Sequence, residues 1–153
     1  VLQLTVDHIA ANESERKLVE SLGGHIEVRG GIPRVNGTLV LTRSIGDAHL
    51  AIFLSRVPNV VSMTKSEVYE ICRPKEQHWN NDDMPCFIIL ASDGLWDVFT
   101  NLEAVELTQI TLRKYGNNWQ TDGAMQEAAE VLTQEAYVRG STDNIGICIV
   151  AIV

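Results

Sequence analysis

The sequence predicts an α+β protein, with antiparallel sheets and helices on their outside, and three observations carry that expectation. The element order is strands, a long polar connection, a strand, two helices and a final strand. Strict β-α alternation, which a doubly wound parallel sheet would need, is missing. The last segment, NIGICIVAIV, is apolar at every second position on both faces, as a strand inside a sheet should be.

Taken in order, VLQLTV (1–6) opens as a strand. ESERKLVESL (13–22) follows as a helix, with Asn12 and Glu15 in an N-cap pattern and Gly23-Gly24 as its stop. In RVNGTLVLTRSIGD, Asn36-Gly37 fits a hairpin turn, and Thr38 to Thr42 are β-branched and apolar enough for a strand. Residues 57–62 and 67–72 are two more strand candidates. RPKEQHWNNDDMP (73–85), polar and bounded by prolines, is expected as a surface loop within one domain rather than a linker between two. CFIILAS is a buried strand, NLEAVELTQITLRKY a helix capped by Asn101, and GAMQEAAEVLTQEAYVRG a helix burying Met125, Ala128, Ala129, Leu132 and Ala136 and closed by Gly140.

At 153 residues and 45% hydrophobic, the chain can bury a core of its own. Twelve basic against twenty acidic residues give a net charge of −8 without a Lys/Arg cluster, which argues against a nucleic-acid groove or an anionic membrane surface. No stretch approaches the roughly 20 apolar residues of a membrane span, and no signal peptide is present. Cys72, Cys86 and Cys148 are odd in number and never spaced CxxC, and two lie in apolar runs, so buried free thiols in a reducing compartment, and with them an intracellular location, are expected. Both ends are apolar and strand-like, which predicts a piece of something longer.

Two aspartates stand out. Asp93, in LASDGLWDV, comes directly after one apolar strand, and Asp143, in GSTDNIGICIV, directly before another. If those strands are antiparallel neighbours, the end of one lies beside the start of the other and the carboxylates converge. Crowded carboxylates repel, and a shared proton or a hard cation such as magnesium or manganese relieves the repulsion. The plainer reading makes each Asp a turn residue, Asp93 in an ordinary Asp-Gly turn and Asp143 in a turn from helix to strand. On local chemistry alone both readings stand.

LTVDH, ESERKLVESLGG, RVNGTLVLTRSIGD, FIILASDGLWDVFTNLEAV and GSTDNIGICIV together resemble, in order and spacing, the C-terminal half of metal-dependent protein serine/threonine phosphatases of type 2C. The resemblance covers nearly the whole chain. It implies one part of a sandwich of two antiparallel sheets flanked by helices. It implies Asp93 and Asp143 as ligands of a binuclear Mg2+ or Mn2+ centre, completed by an aspartate outside this chain, whose activated water attacks phosphoserine or phosphothreonine in a protein substrate. Gly94 is expected to let the backbone turn tightly beside the ligand, and Asn144 to orient its surroundings by hydrogen bonding. Arg43 and Asp47, in the RxxGD segment, are expected to be mainly structural; Trp96 and Asp97 to anchor and cap a short helical turn. The family's DGHGG segment, with its metal-bridging Asp and neighbouring His, does not occur in the sequence. No catalytic residue is therefore assigned here, and the chain by itself is expected to be inactive without the N-terminal half of the domain. The alternative is a pseudophosphatase that keeps the fold as a binding or regulatory module. A nucleotide enzyme is excluded by the lack of a Gly-rich phosphate loop with its Lys.

Overall fold

The structure, a computed structural model, describes residues 1–72 and 85–152. The polar connection expected over 73–85 lies outside the described residues apart from Pro85, which is buried. The elements are α1 (Glu13–Ser21), β1 (Ile26–Arg29), β2 (Ile32–Val35), α2 (Lys65–Cys72), β3 (Phe87–Ala91), α3 (Asp93–Trp96), α4 (Asn101–Arg113), a 3-10 turn (Gly116–Asn118), α5 (Asp122–Val138) and β4 (Ile147–Ala151). Helices and two small antiparallel sheets, β1-β2 and β3-β4, make this an α+β fold, as the sequence predicts. The chain forms two compact units, residues 4–62 and residues 1–3 with 63–153.

In the first unit, α1 and the β1-β2 hairpin enclose a core of Ala10, Val19, Val35, Leu50 and Leu54. The hairpin was not anticipated, although its signal is present: Gly30-Gly31 both take positive φ, 59° and 82°, as a two-residue turn between twisted strands demands. Pro33 in the second strand hides the pattern, because a proline gives no N–H to a ladder. Asn36-Gly37 does form a turn, with φ of 47° and 70°. The strand expected from Thr38 to Thr42 shrinks to isolated bridges, Val35 with Leu39 and Ile9 with Leu41. Residues 1–6 and 57–62 pair with no strand among the described residues, contrary to expectation.

In the second unit, residues 67–72 are helical, not extended, and the reason is local. Thr64 and Glu67 form a reciprocal cap: the Thr64 hydroxyl accepts from the Glu67 N–H at 3.3 Å, and the Glu67 carboxylate accepts from the Thr64 N–H at 2.7 Å. The same device starts α4. Thr100 rather than Asn101 is its cap, bonded reciprocally with Glu103. Thr121 caps α5. Strands β3 and β4 pair antiparallel from Phe87↔Ala151 to Ala91↔Ile147. The face carrying Phe87, Ile89, Ala91, Ile147, Ile149 and Ala151 packs on a core of α3–α5 side chains that includes Leu95, Leu112, Met125 and Leu132.

The other face is also apolar, yet Leu90 is 56% and Val150 42% exposed, and Cys148 is an exposed free thiol. Among the described residues β4 pairs with β3 alone, so it is an edge strand here and not the central strand expected. Cys86 is disulfide-bonded, which corrects the expectation of a free thiol and removes that support for a reducing compartment. No helix of the described residues is long and apolar enough to cross a membrane.

Candidate metal centre

The antiparallel register decides where the two aspartates go. Ala91 and Ile147 are the last ladder partners, and the Ser92 N–H extends the pairing by one residue to the Gly146 carbonyl at 2.9 Å. The chain leaving β3 at 92–94 therefore lies beside the chain entering β4 at 143–146. The convergence of segments inferred from two strand ends is present.

Three further contacts lock the segments together. The Ser92 hydroxyl donates to the Asn144 carbonyl at 2.8 Å and accepts from the Gly146 N–H at 3.0 Å. On the other side of Asp143, the Ser141 hydroxyl donates to the Gly94 carbonyl at 2.6 Å. Gly94 itself packs against the opposite main chain so closely that a Cβ there would stand 2.5 Å from the Asn144 oxygen and 3.3 Å from the Ile145 Cα. This corrects the expected role of Gly94: it lies in α3 and is needed for close approach, not for a tight turn. Asn144 contributes through its main chain, as acceptor for Ser92 and as donor from its N–H to Asp143 Oδ1 at 2.7 Å. The side-chain role expected of Asn144 has no counterpart among these bonds.

Asp93 and Asp143 are both exposed rather than held at a buried edge. Asp93 opens the single turn of α3, whose Trp96 indole N–H donates back to the Ala91 carbonyl at 3.0 Å and fixes the turn to the end of β3. Asp97 follows as its C-cap. Behind this turn Arg139 joins several elements. It bonds Glu135 one turn earlier, reaches Glu103 at 2.9 Å and the Val98 carbonyl at 3.2 Å, and lies 3.9 Å over the Phe99 ring. The Thr100 cap and, behind it, the Arg139 guanidinium hold the Glu103 carboxyl down at about 2.

Arg43 and Asp47 belong to the other unit, and both are engaged in its scaffold. Arg43 forks onto Glu15, Nη2 to Oε1 at 2.6 Å and Nε to Oε2 at 3.1 Å, and its Nη1 donates to the Val57 carbonyl at 2.8 Å. Glu15 is only 5% exposed; the Thr42 hydroxyl at 2.6 Å and His8 Nδ1 at 2.9 Å complete its shell. The Arg43 bond, aided by Thr42 and His8, outweighs burial and holds the Glu15 carboxyl at about 2. Asp47, at φ 43°, accepts from the Ser44 hydroxyl at 2.7 Å and closes its own turn. Glu15 was expected only as part of a helix cap with Asn12, but Asn12 makes no side-chain cap bond. Its partner Arg43 is 28 residues away, so no local pattern signals the pair.

The donor set at 92–146 fits part of a hard-cation site. Two exposed carboxylates on main chains bonded to one another offer oxygen ligands, which Mg2+ and Mn2+ prefer to nitrogen or sulfur. Among the described residues no three or more His, Cys, Asp or Glu side chains cluster to hold a metal ion, so these two do not make a full coordination shell.

A strand pair with helices on one face and two aspartate-bearing loops bonded together at one end defines this part of the chain as an α+β protein. The protein phosphatase 2C profile matches residues 1–145. Probable protein phosphatase 2C 28 of Arabidopsis thaliana is 38% identical over 152 residues, 99% of this chain and 36% of that protein. Probable protein phosphatase 2C 44 of Oryza sativa subsp. japonica is 38% identical over 149 residues, 97% of this chain and 38% of that protein. Among solved structures, a sex determining protein of C. elegans superposes with a TM-score of 0.69 at 28% identity, covering 99% of this chain and 32% of that one. Serine-threonine phosphatase 2C from Toxoplasma gondii gives a TM-score of 0.63 at 26% identity, over 97% of this chain and 46% of that one. The chain belongs to the protein phosphatase 2C family. It spans about a third of the length of the curated relatives it matches, 36% and 38% for these two.

Proposed function

We propose that the full-length protein is a Mg2+- or Mn2+-dependent protein serine/threonine phosphatase in which this chain supplies Asp93 and Asp143 as metal ligands. The observation that carries the reading is the mutual bonding of the two aspartate-bearing loops, Ser92 to Asn144 and Gly146 and Ser141 to Gly94. A structural turn has no need for a second acidic turn fastened to it. Bound cations supply positive charge that lowers the pKa of water and offsets the charge on a phosphoryl group. The chain's own part is to hold them. Asp93 and Asp143 present oxygens from fixed main-chain positions, and the Asn144 N–H occupies one Asp143 oxygen, which restrains the carboxylate's rotation.

Two carboxylates alone leave most of an octahedral shell unfilled. We therefore read the remainder of the domain as the partner that completes the centre, a phosphoserine or phosphothreonine protein as the substrate, and the chain by itself as inactive. The test is phosphate release from a phosphoserine peptide by the full-length protein, titrated with Mg2+ or Mn2+, beside Asp93→Ala and Asp143→Asn. Removing a ligand should cut turnover at least about 100-fold, the scale of several kcal/mol of lost charge stabilisation. Undiminished, metal-dependent activity in either variant would remove that residue from the centre. A full-length protein that binds Mn2+ and releases no phosphate would instead be a binding module.

A further inference from the structure

We infer that the hydroxyls of Ser92 and Ser141 are the positioning groups of the metal centre, setting the Asp93 loop and the Asp143 loop in register; this rests on the metal-ligand reading above. The two serines bracket both ligands. Ser92 immediately precedes Asp93 and grips the chain immediately after Asp143, spending its donor on the Asn144 carbonyl and its acceptor on the Gly146 N–H, at 2.8 and 3.0 Å. Ser141 precedes Asp143 by two residues and grips the chain immediately after Asp93, at the Gly94 carbonyl, 2.6 Å away.

Each aspartate is thus flanked by residues bonded to the flanks of the other. The ladder between β3 and β4 fixes the strands only as far as the Ser92 N–H, and beyond it the main chains run into a one-turn helix and an irregular loop. Neither continuation carries strand pairing that would hold the two loops in a set relation. The hydroxyl bonds and the close contact of Gly94 do so instead. Ser92 itself is extended, with φ −73° and ψ 168°, so a threonine fits its backbone and retains the hydroxyl.

The experiment measures Mn2+ affinity of the full-length protein by the EPR signal of free Mn2+, with unfolding in EDTA followed alongside. Ser92→Ala should weaken Mn2+ binding about 10-fold or more, the usual scale for losing a group that orients metal ligands. Ser92→Thr should restore it; the metal-free unfolding midpoint of Ser92→Ala should fall, since two hydrogen bonds are lost, and Mn2+ binding is compared under conditions where the variant remains fully folded. Should Ser92→Ala fail to fold, Ser141→Ala, which removes the single bond to Gly94, is expected to weaken binding in the same direction. Wild-type Mn2+ affinity in a folded Ser92→Ala, or in Ser141→Ala where the first does not fold, overturns the inference. Asp93→Ala separates the two levels: if it abolishes binding while the serine variants do not, only the positioning role falls. If Asp93→Ala leaves binding intact, the metal-ligand reading and this inference fall together.

Discussion

Replacing Gly94 by alanine tests the packing argument most directly. The added Cβ would meet the Asn144 carbonyl oxygen at 2.5 Å, the Asn144 carbonyl carbon at 3.0 Å and the Ile145 Cα at 3.3 Å. All three are main-chain atoms, so no side-chain rotation relieves the overlap, and the first contact lies about 1 Å inside the ~3.5 Å optimum for non-bonded heavy atoms. Forcing one methyl group into such a contact costs about 1–3 kcal/mol. Moving Asn144 also strains the bond its carbonyl accepts from Ser92, worth about 0.5–1.5 kcal/mol. Together these give a loss of about 2–4 kcal/mol. With a urea slope of roughly 2 kcal/mol/M, the unfolding midpoint falls by about 1–2 M. Gly123→Ala is the control, because a Cβ there meets nothing within 4 Å and the residue lies in the first turn of α5, whose helical backbone accepts alanine. A Gly94→Ala midpoint equal to that of the wild type would refute the close-approach argument. An equal fall in Gly123→Ala would show that the loss is generic to glycine and not to this contact.

The buried Glu15 gives a pH prediction. Its carboxyl is depressed from 4.5 to about 2, so its contribution is fully present above about 4.5 and lost as pH falls toward 2. Glu15→Gln should lower stability near neutrality, by a difference on the order of 3 kcal/mol, and should flatten the acid limb between those values; an unchanged acid limb in urea titrations would contradict the pairing with Arg43. Thr100→Ala removes the reciprocal cap of α4 and should cost about 1 kcal/mol, read as a lower thermal midpoint, whereas Asn101→Ala should cost less. Chelation with EDTA should stop phosphate release by the full-length protein, and Mn2+ should restore it; activity that survives chelation would oppose a metal-dependent mechanism.

Elements governed by a single local rule were legible in the sequence. Helix α5 carries a clear helical period, and the strands FIILA and ICIVA are short continuous apolar runs bounded by turn residues, so their type was legible although the position of ICIVA in the sheet was not. The meeting of the Asp93 and Asp143 segments was legible only as a condition, that the two strands be antiparallel neighbours, and their register meets it. The errors arose where two signals competed. EVYEIC has β-prone side chains, but the Thr64–Glu67 box just before it nucleates a helix, and the box wins. Asn12 and Glu15 have the same spacing as that box, and there the carboxylate turns inward to a distant arginine instead. The roles of Ser92 and Ser141 could not be read from spacing, since each bond spans about 50 residues and exists only once the register is set. The chemistry of the aspartates is similarly out of reach of local pattern, because Asp93-Gly94 and Asp143-Asn144 are pairs that a plain turn and a ligand loop use alike.

The uncovered side of the β3-β4 pair has a practical consequence for handling the protein. Leu90 and Val150 stand in solvent beside the exposed Cys148, and the second edge of ICIVA has no strand partner among the described residues. An edge with β-branched side chains, no charge and no proline is a template on which another extended chain can add. Expressed in isolation, this chain should thus precipitate with a rate that climbs steeply with concentration. A lysine at Val150, pointing outward from that face, should slow the process without touching the helix-packed core.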